Sequence, residues 1–311
     1  MNIKDTEGNQ ERLSPEDRKW LANIWGSKKI ESEYGDCPVC GESNIEFQRW
    51  ELRDGTIRRY NDCPVCIAKY EEEQKHEESK AKQKEVDIIR ERWRNESGVP
   101  IRFLNNKFSG FDMNVDRSIK QVRAECERYA NDYSFLAPQN SKSLLMYSRG
   151  VWGVGKTYLV CSIANAIMDK WNDEVRRCPV FFVSEPQLFL KVRSTYNRQN
   201  KQDDKPRETE ESIYERLTTV PLLIIDDVGK EEVSDPRFVQ RVLFAIIDGR
   251  YQNMLPIIIT ANLTPDELGR HLGGDRGNSA TMDRLVEMTD NTFWELRGSS
   301  YRDISKREKL R

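Results

Sequence analysis

The chain has 311 residues, and its 50 basic and 52 acidic side chains leave a formal net charge of −2. This near-cancellation excludes a global field that would draw the molecule onto nucleic acid or membrane, so any DNA contact must come from a local patch. The length has room for one full α/β domain and a smaller module, and no apolar stretch approaches the ~20 residues of a membrane span. A charged fraction of 33% and a polar start from Met1 to Arg12, unlike a secretory signal, point to the cytoplasm; there, seven cysteines suit thiolate or metal-ligand chemistry better than disulfides.

Taken in chain order, Ser14-Pro15-Glu16-Asp17 has the composition of a helix start, with Ser as cap, Pro at the first position and acids in the first turn. Trp20, Leu21, Ile24 and Trp25 then share a face that either packs on its own domain or anchors a partner. Next come Cys37-Pro38-Val39-Cys40 and Cys63-Pro64-Val65-Cys66, two C-x-x-C pairs with the same insert. Each knuckle can place two sulfurs on one ion, and together Cys37, Cys40, Cys63 and Cys66 complete a closed tetrahedral Zn²⁺ shell. The hairpin-like stretch Ile45 to Tyr60 absorbs the long span between the pairs. A redox dithiol would need only one pair. With no vacant ligand position, the zinc serves as a fold staple for a module too small to build a large core.

From Ala68 to Ser97 the chain is dense in both charges, with Glu71/Lys75 and Glu78/Lys82 at i,i+4 spacing, which describes a solvated helical connector that also carries His76. Gly98-Val99-Pro100 ends it. The resulting division is a zinc-binding, partner-binding module over 1–67, a charged helical linker over 68–97 and a larger domain over 98–311.

Beyond the linker, helix and strand signals alternate: a helix over Arg117 to Tyr133, strands at Ser143 to Tyr147, Pro179 to Val183, Val220 to Asp227 and Pro256 to Thr260, and helices from Tyr158, Glu185 and Phe238. That alternation is the signature of an α/β domain with a parallel sheet flanked by helices. Between the first strand and its helix, Gly150-Val151-Trp152-Gly153-Val154-Gly155-Lys156-Thr157 fits the phosphate-binding loop G-x-x-x-x-G-K-[ST] at every fixed position. Glycines let the backbone turn its N–H groups around a triphosphate, and the helix N-terminus adds positive potential. Lys156 would reach the β- and γ-phosphates, and the Thr157 hydroxyl would ligand Mg²⁺. Asp226, ending a buried strand, would hold Mg²⁺ with it; Asp227 would orient or deprotonate the attacking water. Gly150, Gly153, Val154, Gly155, Lys156, Thr157, Tyr158 and Asp226 are thus the ATP-binding residues. Cys126, Cys161 and Cys178 have no partners at metal spacing and read as packing residues.

With Asp226-Asp227 followed by Ile257-Ile258-Ile259-Thr260-Ala261-Asn262, the pattern resembles AAA+ ATPases, which implies that Asn262 is sensor 1, positioning the hydrolytic water. The resemblance narrows through Ile101-Arg102-Phe103-Leu104-Asn105-Asn106-Lys107-Phe108, Asp248-Gly249-Arg250-Tyr251, Met282-Asp283-Arg284-Leu285 and Arg297-Gly298-Ser299-Ser300-Tyr301-Arg302. In that order these segments, from Val99 to Arg302, are similar to the DnaC/DnaI helicase loaders and the IstB-type transposition ATPases. The resemblance implies that Arg284 is the arginine finger acting on a neighbouring subunit's nucleotide and that Arg302 is the second sensor; were Arg284→Ala to hydrolyse ATP normally, Arg250 and Arg276 would be the next candidates for the finger. The chain departs from the family at Trp152, Val154 and Tyr158, where Pro, Thr and His are usual, and at Asp227, where many AAA+ members have Glu. The 49 residues after Asn262 suit a compact catalytic domain without a full helical lid.

The resemblance implies a helicase loader: the zinc module binds a replicative hexameric DNA helicase, while the ATPase domains form an ATP-bridged oligomer on single-stranded DNA. The alternative is an IstB-type helper acting with a transposase on duplex DNA, and a third reading is a non-hydrolysing, ATP-held switch. Lys191 and Arg193 are either strand contacts or solvated helix charges.

Overall fold

In a computed structural model, the chain divides into two compact units, residues 1–84 and 85–311. The structure describes residues 28–51, 57–61, 63–111, 117–171, 175–196, 209–229, 235–273, 280–298 and 300. The helix expected after Ser14, Arg276 and Arg302 lie outside the described residues.

The first unit carries an antiparallel sheet of β1 (Lys28–Gly35), β2 (Ile45–Glu51) and β3 (Ile57–Asn61), in that spatial order. The β2–β3 pair is the hairpin expected over 45–60; β1, charged and short of apolar residues, gave no strand signal. Ile45 and Phe47, two apart on β2, share a face and are buried with Cys37 and Cys63. So small a cluster cannot hold a fold by hydrophobic burial alone. Helix α1 (Pro64–Glu96) starts inside the second knuckle.

The last turns of α1 belong to the second unit. Val86, Ile89 and Trp93, at i, i+3 and i+7, form a buried stripe. Trp93 is fully buried, with its ring centroid 5.0 Å from that of Trp171, which is buried as deeply. Arg94 donates to Asp169 at 2.8 Å, and Arg90 to the Trp171 carbonyl at 2.8 Å. The solvated connector expected up to Ser97 therefore corrects to a helix whose end is core. Its sparse apolar residues are spaced to face one wall, which charge density conceals. Ser97 then accepts the Phe182 N–H at 2.6 Å, and Gly98 adopts φ +75° where a Cβ would stand 2.3 Å from the Phe182 carbonyl oxygen. Only glycine permits that close approach.

The remaining elements are α2 (Arg117–Asp132), β4 (Leu144–Tyr147), α3 (Lys156–Lys170), β5 (Val180–Ser184), α4 (Glu185–Tyr196), α5 (Glu210–Thr219), β6 (Leu222–Val228), α6 (Pro236–Gln252), β7 (Ile257–Ala261), α7 (Pro265–Gly273), α8 (Ala280–Met288) and β8 (Phe293–Glu295). Among the described residues the sheet is five-stranded, in the order β5-β6-β7-β4-β8, and every pair is parallel. Strands as apolar as Leu222 to Ile225 need cover on both faces. The end of α1, α2 and α3 supply one cover, and α4 to α8 the other. β8, three half-buried residues, is too short to announce itself in sequence. This is the AAA+ arrangement expected, with β4 inside the sheet and its C-terminal end open to the site.

Since Trp93 is core, Trp93→Ala should destabilise the 85–311 unit by about 3–5 kcal/mol, the usual cost of emptying a large buried aromatic site. Denaturant unfolding of the full chain, followed by tryptophan emission, checks this.

Candidate nucleotide and metal sites

The loop from Gly150 to Gly155 connects the end of β4 to α3, and its glycines at 150, 153 and 155 have φ of 62°, 80° and 98°. Gly155 precedes the first helical residue in the left-handed region, a conformation costly for other residues. The Val154 side chain is buried in the core, which anchors the loop from inside. Lys156 is buried; its Nζ donates to Ser148 Oγ and to Asn262 Oδ1, each at 2.6 Å. Burial lowers its pKa to about 8 against the pull of Asp227 and Asp226. Ser148, at the end of β4, was not singled out by sequence reasoning; its hydroxyl also donates to the Val151 carbonyl at 2.6 Å and so shapes the loop.

Thr157 Oγ1 donates to Asp226 Oδ2 at 2.9 Å, and Thr260 Oγ1 donates to Asp226 Oδ1 at 2.6 Å. Burial pushes the Asp226 carboxyl up to about 6, opposed by the Thr260 hydrogen bond and reinforced by the Asp227 charge. At the same place the β6–β7 register breaks between Ile225 and Val228, and Asp227 takes φ +59°. The kink turns the second carboxylate away from the direction that strand alternation would give it. The Asp227 N–H donates to Thr260 Oγ1 at 2.9 Å, so Thr260 braces both acids, a role its place in an apolar strand did not reveal. The Asn262 backbone carbonyl accepts from Gly150 N at 3.2 Å, while its side-chain Nδ2 is buried without a partner. A donor left so beside the Lys156 ammonium has the chemistry to meet an anion.

These residues fit a Mg²⁺–nucleoside triphosphate. A buried lysine, inward-turning glycines and an orphan amide N–H suit phosphate oxygens; the Thr157 hydroxyl and the Asp226 carboxylate, in mutual contact, suit the cation. Tyr158 faces another way. Its hydroxyl donates to the Lys107 carbonyl at 3.1 Å, and its ring meets Phe111 edge-on at 5.2 Å. It thereby ties the segment from Ile101 to Phe111 against α3, as Asn165 does by donating to the carbonyls of Phe103 and Asn106 at 2.8 and 3.0 Å.

The expected finger, Arg284, lies on α8 with Nε 2.7 Å from Asp248 Oδ1. Arg250, the next in line, is fully buried and donates to the carbonyls of Leu217, Val220, Pro221 and Pro256 at 2.5–3.2 Å. It is a structural staple and cannot reach another chain. Lys191 lies over the Phe181 ring at 5.4 Å, and Arg193 over Phe238 at 4.7 Å.

In the first unit the four cysteine sulfurs lie within 4.8 Å of one another, with Cys37–Cys66 at 3.7 Å and Cys40–Cys63 at 3.4 Å. Sulfurs at ~2.3 Å from a tetrahedral zinc stand about 3.8 Å apart, so the four are already at coordination spacing. Desolvation, then the three neighbouring sulfurs, push the Cys66 thiol up to about 12. A set of thiolates so close needs a cation to coexist. Cys126 and Cys161 are buried packing residues, and Cys178 donates to the Val180 carbonyl at 3.2 Å; His76 is exposed.

A phosphate loop, a strand-end carboxylate and a parallel sheet define a P-loop nucleotide-binding domain. Within that class, the chain belongs to the family of IstB-like ATP-binding proteins, whose model matches residues 131–309, more than half of its length. It is 26% identical over 145 residues to the replicative helicase loader DnaI of Bacillus subtilis (strain 168), a match covering 46% of this chain and 41% of that protein. It is 24% identical over 199 residues to the replicative helicase loader DnaC of Buchnera aphidicola subsp. Schizaphis graminum, covering 64% of this chain and 69% of the relative. The chain thus spans less than half the length of the Bacillus protein. A crystal structure of the DnaC helicase loader superposes with a TM-score of 0.49 at 20% identity, over 64% of this chain and all of that one. Among the described residues no helix is long and apolar enough to cross a membrane.

Two outcomes follow from this geometry. Protein purified without chelator should carry one zinc per chain by elemental analysis, and Cys63→Ser should lose the metal together with the fold of the first unit. With ATP–Mg²⁺ at about 100 times its Kd, the second unit should gain about 2.7 kcal/mol against unfolding. Lys156→Ala should abolish that gain, as read by thermal denaturation with and without nucleotide.

Proposed function

We propose that this chain is an ATP-dependent loader that binds a replicative hexameric DNA helicase through its zinc module, within residues 1–67, and delivers it onto single-stranded DNA. The choice of a helicase as partner is carried by one observation: relatives from two bacteria bear the name replicative helicase loader. The separate Cys37–Cys40–Cys63–Cys66 unit supports the division of labour, since a small metal-stapled domain can hold a partner whatever the nucleotide state. The family model's description, IstB-like, favours the second reading, a helper that works with a transposase on duplex DNA.

In the proposed cycle, Lys156 and the loop N–H groups hold the phosphates, and Thr157 with Asp226 holds Mg²⁺. Asp227 orients the attacking water, and the free Nδ2 of Asn262 acts as sensor. Arg284 completes the site of an adjacent subunit and Arg302 senses nucleotide within its own. Fingers stabilise charge that develops only in the transition state, so Arg284→Ala should keep ATP affinity while turnover falls ~10³-fold or more. Nucleotide titration beside a steady-state ATPase assay separates the two effects. For the partner, the full chain immobilised with ATP should retain a replicative helicase, and Cys63→Ser should not; retention of a transposase instead would replace the loader reading with the second one.

A further inference from the structure

Helix α6 presents Phe244, Asp248 and Tyr251 at i, i+4 and i+7, so the three lie along one face. Arg284, on α8, lies across that face. Its Cζ is 5.3 Å from the Phe244 ring centroid and 5.6 Å from that of Tyr251. Its Nε stands 2.7 Å from Asp248 Oδ1, and its Nη1 donates to the Ala280 carbonyl at 2.9 Å. The other carboxylate oxygen, Asp248 Oδ2, accepts from Gln252 Nε2 at 2.7 Å, which fixes the carboxylate in turn. Both partners of the ion pair are mostly shielded, with side chains 27% and 19% exposed.

A plain helix-to-helix staple does not account for this pair, because α6 and α8 are fastened elsewhere. Leu285 is buried in the shared core, and Tyr251 donates its hydroxyl to Glu287 Oε2 at 2.9 Å. The staple of this region is Arg250, whose two terminal nitrogens are both spent on carbonyls in a fully buried setting. Arg284 differs in how its donors are used. The carboxylate meets the Nε edge as an ion pair, with no hydrogen bond between the two atoms, and the helix carbonyl takes one Nη1 hydrogen, so that Nη2 makes no hydrogen bond among the described residues. A latch that withheld the arginine would occupy the terminal fork, which is the part that grips phosphate.

We propose that Asp248 is the positioning residue of Arg284: it holds the guanidinium side-on, between Phe244 and Tyr251, so that Nη2 is presented to the triphosphate of a second copy of this chain. The inference rests on the reading of Arg284 as the finger. Its physical content is pre-organisation, since an arginine already fixed in direction loses little freedom when it meets developing charge.

The test is steady-state ATP hydrolysis by the assembled full chain. Asp248→Asn keeps the shape but not the charge, and its kcat should fall ~10- to 100-fold, the scale of misplacing a catalytic group by about an ångström. KM for ATP should stay within about twofold, because Asp248 touches no nucleotide of its own subunit. Mixing is the decisive arm. Asp248→Asn chains have an intact nucleotide site, and Lys156→Ala chains have an intact finger, so mixtures should regain turnover as mixtures of Arg284→Ala with Lys156→Ala do. Turnover that stays low on mixing would make Asp248 merely structural, and turnover above that of the unaltered chain would make it a latch; either overturns the proposal. A normal rate in Asp248→Asn with a dead Arg284→Ala overturns it while leaving the finger reading intact, whereas normal rates in both overturn the finger reading itself. Should Asp248→Asn unfold early, Gln252→Ala, which only frees the carboxylate, is measured instead: an unchanged kcat refutes the positioning role.

Discussion

A carboxylate that is 96% buried must be compensated, and the second unit is organised around meeting that requirement at Asp226. Strands β4 to β7 are apolar almost throughout, because helices cover both faces of the sheet. Polar atoms are consequently pushed to the C-terminal ends, where Asp226 accepts from Thr157 and Thr260 and lies near Lys156. Even so, its pKa stands at about 6, well above the carboxylate range. Two neutral hydroxyl donors leave the charge undercompensated, and Asp227 next to it makes matters worse. A divalent cation held by the Thr157–Asp226 pair would remove that deficit.

The same accounting explains which parts were legible in the sequence. The phosphate loop, its strand and the Asp226 strand are local patterns in which spacing itself dictates geometry; their boundaries came within a residue or two. The cysteine knuckles were legible for a similar reason, since four sulfurs at two fixed spacings have few ways to be satisfied. Ser148 and Thr260 were not legible. Each is an ordinary polar residue at a strand end, and its duty exists only because the fold brings residue 148 beside 156 and 262, and residue 260 beside 226 and 227. The kink at Asp227 is likewise a property of the β6–β7 pairing, invisible in either strand alone.

Helix α1 shows the opposite error. Its charges are real, but density of charge says nothing of the face it leaves apolar. Val86, Ile89 and Trp93 suffice to dock the last turns, because one large aromatic side chain fully buried outweighs several exposed ion pairs. Gly98, read only as a helix terminator, has the further task of letting the chain run against Phe182. Composition locates a connector; only burial decides where it stops being one.

Arg250 and Arg284 make the limit sharpest. Both fall within the span that the family model matches, and nothing in the neighbouring residues tells their duties apart. The structure separates them by their donors. Arg250 is surrounded by the carbonyls where α5 leads into β6 and α6 into β7, and its guanidinium pairs four of them, that of Pro256 in addition to the Leu223 N–H. Arg284 forms one ion pair and donates one hydrogen bond, to the Ala280 carbonyl, against the four carbonyls that Arg250 holds. A guanidinium has five N–H donors, and in a protein interior unspent donors are costly. Arg284 bears part of that cost at Nε, which is buried without a hydrogen bond beside Asp248, while the side chain as a whole stays 27% exposed. The distinction between holding a fold together and waiting for a partner thus reduces to counting hydrogen bonds around two residues of the same type.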